Sequence, residues 1–231
     1  MRPEQIALFR EQGYLHLRGA LRKEVVQPVK VQVLNELKRL KIWSTGRVLS
    51  NRMKGVPAFQ QITKLGQLIK YPGLKDRLIS QDLSSTMSRL AGASLIPEQD
   101  AQLLISLPKQ GDWTLDSLNW HRDISQSELA QIPGVQAFVL IDDLSPRGGA
   151  TLALAGSHRL KGRPQGKQSI NRIVSNRSGP SMTVGDVDLS ILEMAGQAGD
   201  VYLMDMRLIH TPSINSARNV RMMATIRYLT T

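Results

Sequence analysis

Leu118-Asn119-Trp120-His121-Arg122-Asp123 is the stretch on which the reading of this chain turns. Taken as a strand, it places His121 and Asp123 on one face, because side chains two apart in a strand point the same way. Trp120 then points to the opposite face, where core packing is its default role. His210, from a distant strand, would complete a set of two imidazoles and one carboxylate around a single ion and leave the other side of that ion open. Open sites of this composition suit Fe(II) with a chelating 2-oxo acid and dioxygen. Alone, the triplet is better met by a strand histidine hydrogen-bonded at the surface, so its surroundings must carry the reading.

Outward from this stretch the pattern is strand-like. Segments 101–107 (AQLLISL), 135–141 (VQAFVLI), 150–154 (ATLAL), 200–206 (DVYLMDM) and 221–229 (RMMATIRYL) are short and rich in apolar residues. The N-terminal part differs. Residues 4–12 predict a short helix ended by Gly13, and Tyr14–Arg18 alternates as a half-buried strand. Val26, Val29, Val33, Leu37 and Leu40 recur at helical spacing and predict a helix over 24–41, with Pro28 tolerated near its first turn. Residues 74–91 predict another helix. Between them, 42–72 is broken by Gly46, Gly55, Pro57, Gly66 and Pro72, carries Arg47, Arg52 and Lys54, and reads as an irregular loop near a cavity or an ordinary basic connector. Helices first and strands after indicate an α+β chain whose catalytic part is all-β.

Composition narrows the chemistry. The 231 residues suit one domain, and no apolar run approaches the roughly 20 residues of a membrane span. The charged, amphipathic start is not secretory, so a soluble cytoplasmic protein is expected. Zero cysteine excludes disulfides, thiolate metal sites and cysteine nucleophiles, and of the four histidines (His16, His121, His158, His210) two already belong to the proposed set. The net charge of +11 lies in residues 1–96, with 17 basic against 6 acidic residues, while 97–231 balances at 13 each. Inside that balanced part, 144–185 holds Arg147, Arg159, Lys161, Arg163, Lys167, Arg172 and Arg177 and no acid, a local +7 that either attracts an anion or simply keeps the surface solvated.

Four segments together resemble the phytanoyl-CoA dioxygenase-like family of Fe(II)/2-oxoglutarate oxygenases. EQIALFREQGYLHLRGAL (4–21) is similar to the family's helix–strand start, and NWHRD (119–123) to its Trp-His-x-Asp motif. GGATLALAGSHR (148–159) resembles its Asn-Gly-x-Leu/Thr…Pro-Gly-Ser-His segment, with Ala155 where proline is common, and AGDVYLMDMRLIH (198–210) its Ala-Gly-Asp…His segment. The matches come in the family's order and span nearly the whole chain.

The resemblance implies a double-stranded β-helix (jelly roll, cupin-like) with N-terminal helices packed on one sheet. Residues 1–231 would form a single oxygenase domain, 1–96 mainly helical support and 97–231 mainly jelly-roll core. It implies Fe(II) held by His121, Asp123 and His210, with 2-oxoglutarate and dioxygen as cosubstrates. Arg221, eleven residues after His210, has the family's spacing for the arginine that binds 2-oxoglutarate, with Arg218 a nearby competitor. On a strand, Arg221 shares its face with Met223, Thr225 and Arg227 and could grip a carboxylate through two parallel hydrogen bonds. Thr151 and Gln102 are further candidates for cosubstrate contacts. Ser213 is displaced by one position from where relatives place a serine, and His158 matches as a turn residue instead of a ligand. Asn119 would share the face of His121 and, with Lys161 and Arg163, is a candidate substrate contact. Asp123 itself argues for hydroxylation over halogenation, since halogenases of this superfamily lack that carboxylate. Desaturation, ring formation and epimerisation use the same ligands and stay open.

The expected partner is a small-molecule substrate, anionic or carrier-linked. The alternative is a basic jelly-roll binding module for nucleic acid or an acidic partner. It has no recognised nucleic-acid motif behind it, and at 4% aromatic residues its stacking platforms would be sparse.

Overall fold

The computed structural model describes residues 1–44, 47–49, 53, 56–124, 131–160, 171–173 and 181–231. Helix α1 (Pro3–Gln12) stops at Gly13, whose φ of 78° and N–H to the Phe9 carbonyl form a left-handed cap. Glycine is needed twice over there, because a Cβ would lie 2.6 Å from His158 Nδ1 and 2.9 Å from Leu208 Cγ. Strand β1 (Tyr14–Leu17) follows, and helix α2 (Lys23–Arg39) buries Val26, Val29, Val33 and Leu37 as its spacing predicts. Pro28 is the sixth residue of that helix, one residue deeper than the expected start at 24 places it, and the N–H that proline lacks would have gone to the carbonyl of exposed Glu24.

Two expectations for the helical region need correction. Segment 42–72 is not wholly irregular: after the short ladder of β2 (Trp43–Ser44) with β3 (Arg47–Val48), helix α3 (Ala58–Leu68) packs on the main sheet. Its Gly66 is a close-approach residue, since a Cβ there would run into the Leu103 carbonyl oxygen, and not a helix breaker. Segment 74–91 is two helices, α4 (Leu74–Leu78) and α5 (Gln81–Ala91), because Ile79 is extended and Ser80 starts afresh, its hydroxyl accepting the Leu83 N–H at 3.2 Å. No helix among the described residues is long and apolar enough to cross a membrane.

The strands are β4 (Leu95–Pro97), β5 (Gln102–Ser106), β6 (Gly134–Leu140), β7 (Thr151–Ala155), β8 (Ser181–Val184), β9 (Val187–Glu193), β10 (Val201–Asp205), β11 (His210–Pro212) and β12 (Arg221–Thr230). Their ladders are antiparallel and form two sheets among the described residues: β1-β10-β6-β12-β4, with β5 also on β12, and β11-β7-β9-β8. The expected strand 118–123 is absent. His121 alone makes a bridge, exchanging both backbone hydrogen bonds with His210 at 2.9 Å, so it extends the second sheet beyond β11 by one residue pair. Arg122 replaces further ladder bonds: its Nε donates to the Arg207 carbonyl and its Nη2 to the Ser157 carbonyl, both at 3.0 Å.

Period-two alternation sorts the first sheet into two faces. Leu103, Ile105, Val135, Ala137, Val139, Val201, Leu203, Met222, Ala224 and Ile226 share one apolar cluster with Phe9, Val29, Leu37, Leu65, Met87 and other helix residues. Their neighbours Phe138, Leu140, Tyr202, Met204 and Met223 turn the other way and cluster with Ala150, Ala153 and Met194 of the second sheet and its flanks. The space between the sheets thus receives alternate residues of β5, β6, β10 and β12.

Candidate active site

His121 and His210 are cross-strand partners, with ring centroids 4.4 Å apart. Each ring is aimed by its own backbone. His121 Nδ1 lies 2.9 Å from the Asn119 carbonyl and His210 Nδ1 lies 3.1 Å from the Leu208 carbonyl. A carbonyl only accepts, so both Nδ1 atoms carry the proton and both Nε2 lone pairs are left for another partner. Burial pushes the His210 imidazole down to about 4, against the opposing pull of Asp123, so it is neutral at physiological pH.

Asp123 closes the cluster, its Oδ1 3.9 Å from His121 Nε2 and its Oδ2 3.8 Å from His210 Nε2. One ligand atom from each residue lies within 4.8 Å of the others, the one such group able to hold a metal ion among the described residues. The side is open at His121, whose side chain is 41% exposed, against 9% for Asp123 and 6% for His210. The donor set fits a divalent ion in kind: two imidazole nitrogens and one carboxylate are the ligands that nitrogen- and oxygen-binding metals take.

From the first sheet, Arg221 faces the same space. It is 1% exposed, yet its guanidinium has little to hold: Nη2 donates to Thr151 Oγ1 at 3.0 Å, Nε and Nη2 each lie 3.3 Å from the Met223 sulfur, and Nη1 is buried without a partner among the described residues. Burial alone drives its pKa down from 12.5 to about 9, with no charged neighbour contributing. A buried cation that is paired with no carboxylate among the described residues has the charge and the donors to bind an anion.

Thr151, expected from sequence, is therefore brought to Arg221, where its side chain is buried. Gln102 stands opposite Thr225 in the β5–β12 register but is exposed at the strand's end. Ser213 is turned to the backbone, donating to the Ala150 carbonyl at 2.7 Å. His158 lies in the expected turn, a 3-10 segment at Ser157–Arg159, with its Nε2 2.9 Å from the Arg10 carbonyl. Trp120 packs against the cluster outside the second sheet that contains Leu154, Leu189 and Ile209. Asn119 is exposed, and the strand geometry that would have set its side chain beside His121 is absent; its carbonyl, not its side chain, meets the site. Lys161, Arg163 and Lys167, with Arg52, Lys54 and Arg177, lie outside the described residues. Of the rest of the basic stretch, Arg159 and Arg172 are exposed and Arg147 stacks over Trp113 at 5.6 Å.

Three site residues had no role assigned from sequence. Arg227 donates from Nε to Asp123 Oδ2 at 3.1 Å and from Nη2 to Oδ1 at 3.2 Å. Ser106, opposite Arg221 in register, has a buried hydroxyl without a partner, and Phe138 meets the edge of His210 at 6.3 Å between centroids. The signal for Arg227 was its place on the Arg221 face of the strand; nothing in the residues named its partner.

Comparison with known proteins bears on this arrangement. The family model described as phytanoyl-CoA dioxygenase matches residues 9–223. Among proteins with curated descriptions none matches. Three similar solved structures are those of SnoK, SnoN and HygX. SnoK, a non-haem α-ketoglutarate-dependent carbocyclase from nogalamycin biosynthesis, has a TM-score of 0.64 at 20% identity, over 100% of this chain and 84% of its own. SnoN, an α-ketoglutarate-dependent epimerase of the same biosynthesis, has a TM-score of 0.61 at 18% identity, over 98% and 81%. HygX from Streptomyces hygroscopicus, crystallised with nickel and 2-oxoglutarate, has a TM-score of 0.58 at 19% identity, over 100% and 88%. At these identities the likeness is one of fold.

Proposed function

Taking as premise that the chain belongs to the phytanoyl-CoA dioxygenase family, we propose that it is an Fe(II)/2-oxoglutarate-dependent oxygenase of a small molecule, built as one double-stranded β-helix domain with its helices packed on the outer face of the larger sheet. The single observation that carries this reading is Arg221: a fully buried guanidinium with an unpartnered Nη1, facing the same space as the His121, Asp123 and His210 donor cluster. One molecule satisfies both features, a 2-oxo acid that chelates a metal at one end and carries a second carboxylate at the other.

In this reading His121 Nε2, the Asp123 carboxylate and His210 Nε2 hold the ferrous ion, and the two Nδ1–H···O=C bonds keep both rings turned toward it. Arg221 binds the distal carboxylate of 2-oxoglutarate with Thr151 fixing the guanidinium, and Gln102 lies at the open end of the same strand pair. The bound iron supplies the oxidising chemistry: substrate, dioxygen and 2-oxoglutarate give hydroxylated substrate, succinate and carbon dioxide. The protein contributes a dry, apolar lining from Phe138, Met204 and Met223 and an open side at His121 for the substrate. Lys161 and Arg163 are proposed as substrate contacts, because the basic stretch of sequence to which they belong suits an anionic or carrier-linked metabolite. Ring closure or epimerisation is the second reading, favoured by the fold shared with a carbocyclase and an epimerase.

Anaerobic titration with Fe(II) and 2-oxoglutarate tests the proposal. A weak visible charge-transfer band is expected from the wild type and none from Asp123→Ala; folded wild-type protein that gives no band overturns the assignment. Product analysis then separates hydroxylation from ring closure and epimerisation.

A further inference from the structure

Asp123 lies in a segment outside any strand. That segment is held by the His121–His210 bridge before it and by the Ile124 N–H, which donates to the Met206 carbonyl at 3.3 Å, after it, and among the described residues Arg227 is the side chain that hydrogen-bonds the Asp123 carboxylate. Arg227 comes from the opposite sheet. Its backbone is fixed on both sides, paired with Gln136 in the β6–β12 register and accepting the Glu98 N–H at 3.0 Å. Its guanidinium meets the carboxylate as a fork, one nitrogen on each oxygen, and this geometry sets the plane of the carboxylate as well as its position. In that plane Oδ1 is turned toward His121 and Oδ2 toward His210.

We infer that Arg227 is a positioning residue for the metal site: it presets the position and the plane of the Asp123 carboxylate between the two imidazoles. The inference rests on the metal-site reading above. Two effects of Arg227 on a divalent ion oppose each other, since its positive charge repels the ion while its fork orients the ligand. Its side chain is 37% exposed, so water screens the repulsion. The orienting bonds act on a carboxylate that is only 9% exposed, where water competes poorly. Orientation therefore dominates. A surface ion pair would have no such consequence, which makes the inference testable.

The test uses Mn(II) as the probe, titrated into the metal-free full chain by calorimetry, with the melting temperature in EDTA measured in parallel. Arg227→Ala and Arg227→Gln are expected to weaken Mn(II) binding by about 10- to 100-fold, the usual effect of removing an outer hydrogen-bond partner of a ligand. Arg227→Lys, which keeps the charge but offers one nitrogen in place of a fork, is expected between these variants and the wild type. Unchanged or tighter Mn(II) binding in Arg227→Gln, in protein that melts like the wild type, overturns the inference. If the wild type and Asp123→Ala bind Mn(II) equally poorly, the metal-site reading itself fails and takes this inference with it.

Discussion

Replacing Arg221 with methionine should make the ligand-free protein more stable while abolishing its response to the cosubstrate. The side chain is 1% exposed, and burial alone lowers its pKa from 12.5 to about 9. At about 1.4 kcal/mol per pH unit, that fall places the cost of keeping the buried guanidinium charged at about 5 kcal/mol. Against this stands one hydrogen bond to Thr151, worth about 1 to 2 kcal/mol, and the packing of the arginine stem, which a methionine of similar length retains. Substituting apolar side chains for buried charges gains about 1 to 4 kcal/mol in other proteins, so about 2 kcal/mol is expected here, or a rise in Tm of roughly 4 to 8 °C for a chain of this size. Thermal melts in EDTA, repeated with Mn(II) and 2-oxoglutarate, read both halves. The wild type should gain stability on adding 2-oxoglutarate to the metal-loaded protein and Arg221→Met should not. A variant that melts several degrees below the wild type in EDTA, or that is stabilised by 2-oxoglutarate as the wild type is, would refute the assignment of Arg221 as a buried cation awaiting an anion.

Three other outcomes follow from the same geometry. Thr151→Val leaves Arg221 Nη2 without its oxygen partner, and steady-state assays should show KM for 2-oxoglutarate raised roughly tenfold with Mn(II) affinity unchanged. Gly66→Ala, normally a gain of about 1 kcal/mol inside a helix, should instead lower Tm by several degrees, because the new Cβ meets the Leu103 carbonyl oxygen and α3 must move off the sheet. The metal-free protein should lose stability on acidification: His210, at about 4, and His158, lowered chiefly by burial, bind fewer protons folded than unfolded, so their contribution is present above about pH 6.5 and is lost as pH falls toward 4. The urea midpoint should accordingly be lower at pH 5 than at pH 7, and a higher midpoint at pH 5 would contradict the burial of both rings.

How much of this was legible in the sequence depended on how local each constraint is. The stripe of Val26, Val29, Val33 and Leu37 and the alternation of β12 are set by their own periods, and both appear in the structure as the residues predict. Gly66 misled because glycine is ambiguous in one dimension: it signals a break by propensity, and here it marks the approach of a helix to the Leu103 carbonyl, a contact known only once α3 and β5 are packed. The stretch 118–123 misled in the opposite sense. Its alternation was real, yet Arg122 spends its hydrogen bonds on the Arg207 and Ser157 carbonyls, so the segment is fastened by a side chain where a strand would be fastened by a ladder. His121 and Asp123 still converge, because the bridge to His210 and the Ile124 N–H to the Met206 carbonyl hold the chain on either side.

The pairing of Arg227 with Asp123 shows where one-dimensional reading ends. Period two makes Arg221, Met223, Thr225 and Arg227 one face of β12, and that much needs no structure. Which residues that face meets is decided by the other sheet, which sets Thr151 against Arg221 while the His121 segment sets Asp123 against Arg227. The two arginines differ in consequence although they differ little in sequence context. Arg227 finds its carboxylate within the protein and is partly exposed, whereas Arg221 is sealed with a free donor. On the proposed reading, a strand that carries two cations toward one space, with one carboxylate among the described residues paired to them, leaves the charge of Arg221 for the distal carboxylate of the cosubstrate.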